Sequence, residues 1–169
     1  MNHLFKPFLL IGFSLLLIVS YYLFPTGSEL LTEQLVMSPE CRVIQHPLGK
    51  TCVPVEPKRI VALDPGYILD PLLSLGIKPI GTTADYWRGR TYWGGLSPEE
   101  VEGIEIVGQP NQPSLEKLLI VKPDLILGLT DSEQSYSQLS AIAPTVLIDS
   151  SEMLRHSFKK HLRIIAQVS

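Results

Sequence analysis

Residues 86–93 read Tyr86-Trp87-Arg88-Gly89-Arg90-Thr91-Tyr92-Trp93, which gathers both tryptophans of the chain, two tyrosines and two arginines within eight positions. Guanidinium groups pair with carboxylate or metal-bound oxygen through forked hydrogen bonds. Aromatic rings next to them can pack on the faces of a bulky ligand. The same residues also allow a plainer arrangement, with Trp87 and Trp93 tucked in as loop anchors and both arginines solvated. Other chemistry-bearing residues are scattered. Glu99, Glu100 and Glu102 fall in an apparent surface turn and read as solvated. His156 and His161 lie five apart on one predicted helix, where their side chains diverge by ~140° and cannot share a metal; a solvated position beside Lys159 and Lys160 is expected for them.

Patterns that carry catalysis are missing. The turn Asp64-Pro65-Gly66-Tyr67 follows the first predicted strand without a glycine-rich phosphate loop. No G-x-S-x-G elbow occurs, and no nucleophile, base and orienting group can be assembled, so the chain does not read as an enzyme. A formal charge of −3, from 14 basic and 17 acidic side chains, offers no clustered cationic surface for nucleic acid.

The elements that must position these residues alternate in type. Apolar runs at 59–63, 79–83, 105–108, 124–129 and 145–149 read as strands, and helical stretches at 67–75, 114–121 and 133–142 lie between them. Ser114 is placed to cap the second helix, and Lys122-Pro123 to end it. Strands alternating with helices predict an α/β fold of parallel βαβ units with helices on both faces. Residues 154–168 complete the pattern as one amphipathic helix with Leu154, Phe158, Leu162 and Ile165 on its apolar side. An apolar fraction of 45% in 169 residues suits one domain of ordinary size.

Lys6 precedes an uncharged, mostly apolar run over residues 8–24, with a length between that of a signal-peptide core and a membrane span. The flank beyond it carries Glu29, Glu33 and Glu40 and no basic residue before Arg42, so everything past residue 25 is expected to face outward. Thr26-Gly27-Ser28 offers small residues for cleavage; a retained anchor is the alternative. Cys41 and Cys52 would then meet an oxidising compartment, and the short runs around Pro47-Leu48-Gly49 predict a β-hairpin that brings them together, offset by a bulge at Gly49. They are expected to form a disulfide.

With these residues in hand, CRVIQHPLGKTCVPVEPKRIVALD, LLSLGIKPIG, VGQPNQPSLEKLLIVKPDLILG and APTVLID resemble, in order, the substrate-binding proteins of ABC importers for ferric siderophores, haem and cobalamin. The resemblance covers residues 41–168. It implies two α/β lobes with ligand in the cleft between them, of which this sequence holds the first. Residues 1–28 would be a signal peptide or anchor, 29–54 a lead-in with the hairpin, and 55–169 the N-terminal lobe, with the second lobe absent or supplied by another chain.

Ligand contacts are expected from loops at the carboxyl ends of the strands. These would be Gly66 and Tyr67; Tyr86, Trp87, Arg88, Arg90, Tyr92 and Trp93; Gln109 and Asn111; and Thr130 and Asp131. The implied function is capture of a ferric siderophore or related iron chelate outside the cytoplasmic membrane, for delivery to an ABC-importer permease, with a periplasmic or membrane-retained location. No cofactor is expected. No protein metal ligand is expected either, because the chelator fills the iron's coordination sphere. The alternative is a membrane-anchored interaction domain that does not bind ligand.

Overall fold

Five short strands lie side by side in one parallel sheet: β3 (Ile60–Ala62), β4 (Gly81–Thr82), β7 (Glu105–Ile106), β10 (Leu125–Leu129) and β11 (Thr145–Ile148), in the order β11-β10-β3-β4-β7. The computed structural model describes residues 40–169; the apolar run 8–24 and the expected cleavage at 26–28 lie outside the described residues. The described residues form one compact unit. All five predicted strands are present, each trimmed at one or both ends. Among the described residues no helix is long and apolar enough to cross a membrane.

The sheet is apolar on both sides because it is covered on both sides. Along β3 and β10 alternate residues go to opposite faces, as the period of two requires. Ile60, Ala62, Leu125, Leu127 and Leu129 join one buried cluster, and Val61, Leu63 and Ile126 join the other. The first cluster is closed by Leu72 of α1 (Asp70–Ser74), Met153 of α4 (Ser150–Arg155) and Ile165 and Val168 of α5 (Phe158–Val168). Leu118 of α2 (Leu115–Val121) and Leu139 of α3 (Tyr136–Ser140) close the second.

Local chemistry sets the element ends. The Ser114 hydroxyl accepts from Lys117 N at 3.3 Å and starts α2. Lys122 ends it in the left-handed region at φ 47°. In the KPDLIL motif, Asp124 earns its place by accepting from Lys58 N (2.8 Å) and Arg59 N (2.9 Å), which sets β3 beside β10.

The hairpin β1 (Cys41–His46) and β2 (Gly49–Pro54) turns through Pro47-Leu48 and carries the Cys41–Cys52 disulfide. Its register runs unbroken from Cys41↔Pro54 to His46↔Gly49, so the bulge expected at Gly49 is absent. The cysteines are instead diagonal neighbours on one face, their Cα atoms 5.5 Å apart.

The inner face of this hairpin is fastened to the end of the lobe. Val53 is fully buried, and Arg42 donates to Gln167 O (2.7 Å) and Ser169 O (2.6 Å) at the end of α5. His46 Nε2 meets Thr51 Oγ1 at 2.9 Å, and that hydroxyl donates to Thr145 O at 2.9 Å. Burial holds the His46 imidazole below its ordinary pKa.

Three helical expectations change. The 67–75 stretch is a π-helical turn, Pro65–Leu69, that runs on into α1. The 133–142 stretch opens as a 3₁₀ segment, Thr130–Ser135, before α3 begins. The single helix expected over 154–168 is broken at His156 and Ser157 into α4 and α5. Leu154 and Phe158 are exposed, and the buried face is carried by Met153, His161, Ile165 and Val168. His161 is therefore buried, against the expectation of a solvated position, because it takes a core position on α5 where Leu would ordinarily stand.

Candidate functional site

The strand order reverses at β3. Chain passes from β3 outward through β4 to β7, then returns to add β10 and β11 on the other side. In an open α/β sheet the crevice beyond the carboxyl ends at such a reversal is where ligands sit. The turn after β3 and the segment after β10 therefore flank the reversal, and the predicted residues Gly66, Tyr67, Thr130 and Asp131 lie there.

Asp64 organises the first turn. Its Oδ1 accepts from Tyr67 N at 2.6 Å and caps the π-helical turn. Burial pushes its carboxyl above the usual carboxylate range, and the charges of Asp85 and Asp131 push it further, while hydrogen bonds from Tyr67 and Gly66 N–H oppose the rise.

Residues 86–93 are not an irregular loop. β5 (Asp85–Trp87) and β6 (Arg90–Tyr92) pair antiparallel around a two-residue Arg88-Gly89 turn. Both turn residues have positive φ, 49° and 77°, the requirement of a type I′ turn. Asp85, Trp87, Arg90 and Tyr92 share one face of this arm, and Tyr86 and Thr91 the other.

The arm stands out of the lobe. Tyr86 is 56% exposed, Trp87 69% and Tyr92 54%, and Arg88 and Arg90 are exposed as well. The Arg88 guanidinium lies 5.6 Å from the centroid of the Trp87 ring, a cation–π distance. The two readings of the tryptophans thus divide between them. Trp87 is displayed, whereas Trp93 packs against the core cluster with its indole Nε1 buried and unpartnered.

The predicted stretches are joined into one rim. Gly94 leaves the arm at φ 63° and passes over Gly66 so closely that a Cβ would sit 2.8 Å from the Gly66 Cα. At the arm's entry, Ala84 N donates to Gly108 O at 3.0 Å. Gly108 opens the small hairpin of β8 (Gly108–Gln109) and β9 (Gln112–Pro113), and Gln109 and Asn111 are exposed in and beside its turn. Ser132 Oγ donates to Pro110 O at 3.4 Å, which ties that turn to the segment after β10. Finally, Thr130 Oγ1 and Ser150 Oγ meet at 2.6 Å, and Ser150 Oγ donates to Asp131 Oδ1 at 3.1 Å. Asp64, Ser132 and Ser150 were missed in the sequence; only Asp64 left a trace there, as the polar residue ahead of Pro-Gly.

In chemical terms the rim offers exposed aromatic faces and two guanidiniums on a two-stranded arm, with carboxylates at its base. Among the described residues no three His, Cys, Asp or Glu side chains come together as a metal site.

Residues 60–169 match the periplasmic binding protein family. The chain belongs to that family. It is 42% identical over 107 residues to the "Putative ABC transporter substrate-binding lipoprotein YhfQ" of Bacillus subtilis, covering 63% of this chain and 32% of that protein. It is 36% identical over 142 residues to the "Probable siderophore-binding lipoprotein YfiY" of the same organism, covering 83% of this chain and 42% of the relative. Among solved structures, Staphylococcus aureus SirA complexed with staphyloferrin B superposes with a TM-score of 0.58 at 32% identity, over 75% of this chain and 44% of that one. The chain thus spans about a third to two-fifths of the curated relatives it matches. Members of the family are binding proteins rather than enzymes, and this chain belongs with them.

Proposed function

We propose that this lobe captures a ferric siderophore or related iron chelate outside the cytoplasmic membrane, as part of the substrate-binding component of an ABC importer. The observation that carries the reading is the arm of residues 85–92, which holds Trp87, Tyr86 and Tyr92 in solvent beside Arg88 and Arg90 at the carboxyl edge of the sheet. Exposed aromatics cost solvation and contribute nothing to the core, so their use is contact with something outside the lobe. Ferric siderophores are bulky, often anionic and partly aromatic, and the arm supplies a complement to each property. The rim residues Gly66, Tyr67, Gln109, Asn111, Thr130 and Asp131 would complete this lobe's share of the contacts. The ABC permease would be the partner that receives the chelate. Relatives named as siderophore-binding lipoproteins support both the ligand class and the export.

The test is a tryptophan-fluorescence titration of the full chain with ferric citrate, a ferric tris-catecholate, a ferric trihydroxamate, haem and cobalamin, corrected for absorption by the coloured ligands. Saturable quenching that disappears in Trp87→Phe is expected with at least one iron chelate. A folded chain that responds to none of them would sink the proposal.

A further inference from the structure

We infer that His161 is a positioning residue for the ligand rim: it holds the ring of Tyr67 while bonding the Met153 carbonyl across the joint between α4 and α5. This rests on the proposed function for its ligand, though not for its geometry. His161 is only 6% exposed, and its Nε2 lies 2.6 Å from Met153 O. A carbonyl can only accept, so Nε2 carries the proton and donates. Met153 lies in the last turn of α4, where carbonyls lose their intrahelical partners, and the helix stops before His156. The histidine therefore supplies the bond that the broken helix cannot make for itself.

The imidazole also meets the Tyr67 ring in a T-shaped contact, with centroids 5.6 Å apart at 73°, and Phe158 flanks it at 6.4 Å and 71°. Tyr67 is half-buried, and its backbone N–H is already fixed by Asp64. Its ring is then fixed by His161, so the rim's first turn is held from two directions. A leucine at 161 would fill the core stripe of α5, but it would offer neither the bond to Met153 nor a ring to Tyr67. The histidine makes α5 and the rim move together.

Two substitutions separate its roles. His161→Gln keeps a donor for Met153 O and removes the ring; His161→Phe keeps an aromatic ring and removes the donor. With 3-fluorotyrosine incorporated into the full chain, the Tyr67 ¹⁹F resonance is assigned by its loss in Tyr67→Phe. It is expected to move in His161→Gln, with the Tyr86 and Tyr92 resonances of the arm unchanged.

Against whichever of ferric citrate, the tris-catecholate or the trihydroxamate the wild type binds, His161→Gln and Tyr67→Leu are each expected to weaken affinity about tenfold, that is ~1.4 kcal/mol. The double variant is expected to weaken it little further, since the two groups act through one contact. If no chelate binds the wild type, the proposed function fails while the ¹⁹F shift still decides this inference. An unmoved Tyr67 resonance overturns it, as does affinity unchanged within twofold in a variant that merely melts earlier. Should both variants fail to fold, the wild type decides: cross-relaxation between the His161 and Tyr67 rings upholds the inference, and its absence overturns it.

Discussion

Two of the hairpins among the described residues, each closed by a two-residue turn, do opposite things. β1–β2 turns its inner face onto the lobe, burying Val53 and His46 and spending Arg42 on the carbonyls at the end of α5, and a disulfide staples its outer face. β5–β6 has no staple, and five of its aromatic and cationic side chains are in solvent; it is held at its two ends, by Ala84 on one side and by Trp93 and Gly94 on the other. A hairpin alone is marginal in water, so each needs an external source of stability. The first takes it from the body of the lobe. The second has its base held there and leaves its tip free for contact.

Four measurements sharpen or break this contrast. Replacing Cys41 and Cys52 by serine should lower stability by about 2–3 kcal/mol, the usual effect of opening a short disulfide loop, measured by urea unfolding. The ¹⁹F resonances of Tyr86 and Tyr92 should stay where they are; if the arm loosens too, the hairpins are not independent. Trp93→Ala should cost about 2 kcal/mol through lost packing at the arm's base, by the same assay.

The third measurement concerns pH. In the folded lobe His46 titrates below its ordinary value of about 6.5, so between the folded and unfolded values the unfolded chain binds more protons. Stability should therefore fall as pH drops below about 6.5. This slope should shrink in His46→Gln, as read by thermal melts at pH 7.5 and 5.5. The smallest effect on folding is expected from Trp87→Ala, within about 0.5 kcal/mol of wild type because the ring is exposed. Its effect belongs to ligand titrations, and an unfolding cost as large as that of Trp93→Ala would erase the distinction between tip and base.

How far the sequence foretold this depends on the kind of signal. The parallel sheet was legible because LILGL and its neighbours are continuous apolar runs between turn residues, a pattern that double-sided burial produces directly. The first hairpin was legible from the short runs around Pro47-Leu48-Gly49 and its disulfide from the cysteines that bracket them, although the diagonal register was not. The arm was hidden because its turn is Arg88-Gly89, and Arg is not the residue expected at a positive φ.

The break between α4 and α5 was hidden for another reason. Leu154 and Phe158 sit at helical spacing and imitate a core stripe, while the residue that is buried, His161, looks polar. In the site, the stretches after each strand followed from topology. The contacts that join them, Gly94 on Gly66 and Ser132 on Pro110, link residues 28 and 22 positions apart, and no local pattern encodes them.

The fastening of β1–β2 has a consequence for the order in which the lobe can assemble. Its bonds reach across 94 residues to Thr145, 125 to Gln167 and 127 to Ser169, so the earliest described strands contact the latest helix. Contacts of such separation carry the largest loop-closure cost and form late. A chain emerging from its N-terminus can close the disulfide hairpin at once, but its bonds to the lobe wait first for Thr145 and then for α5. Among the described elements the first made is then the last to be fully seated, like a latch that shuts only when the lid is on.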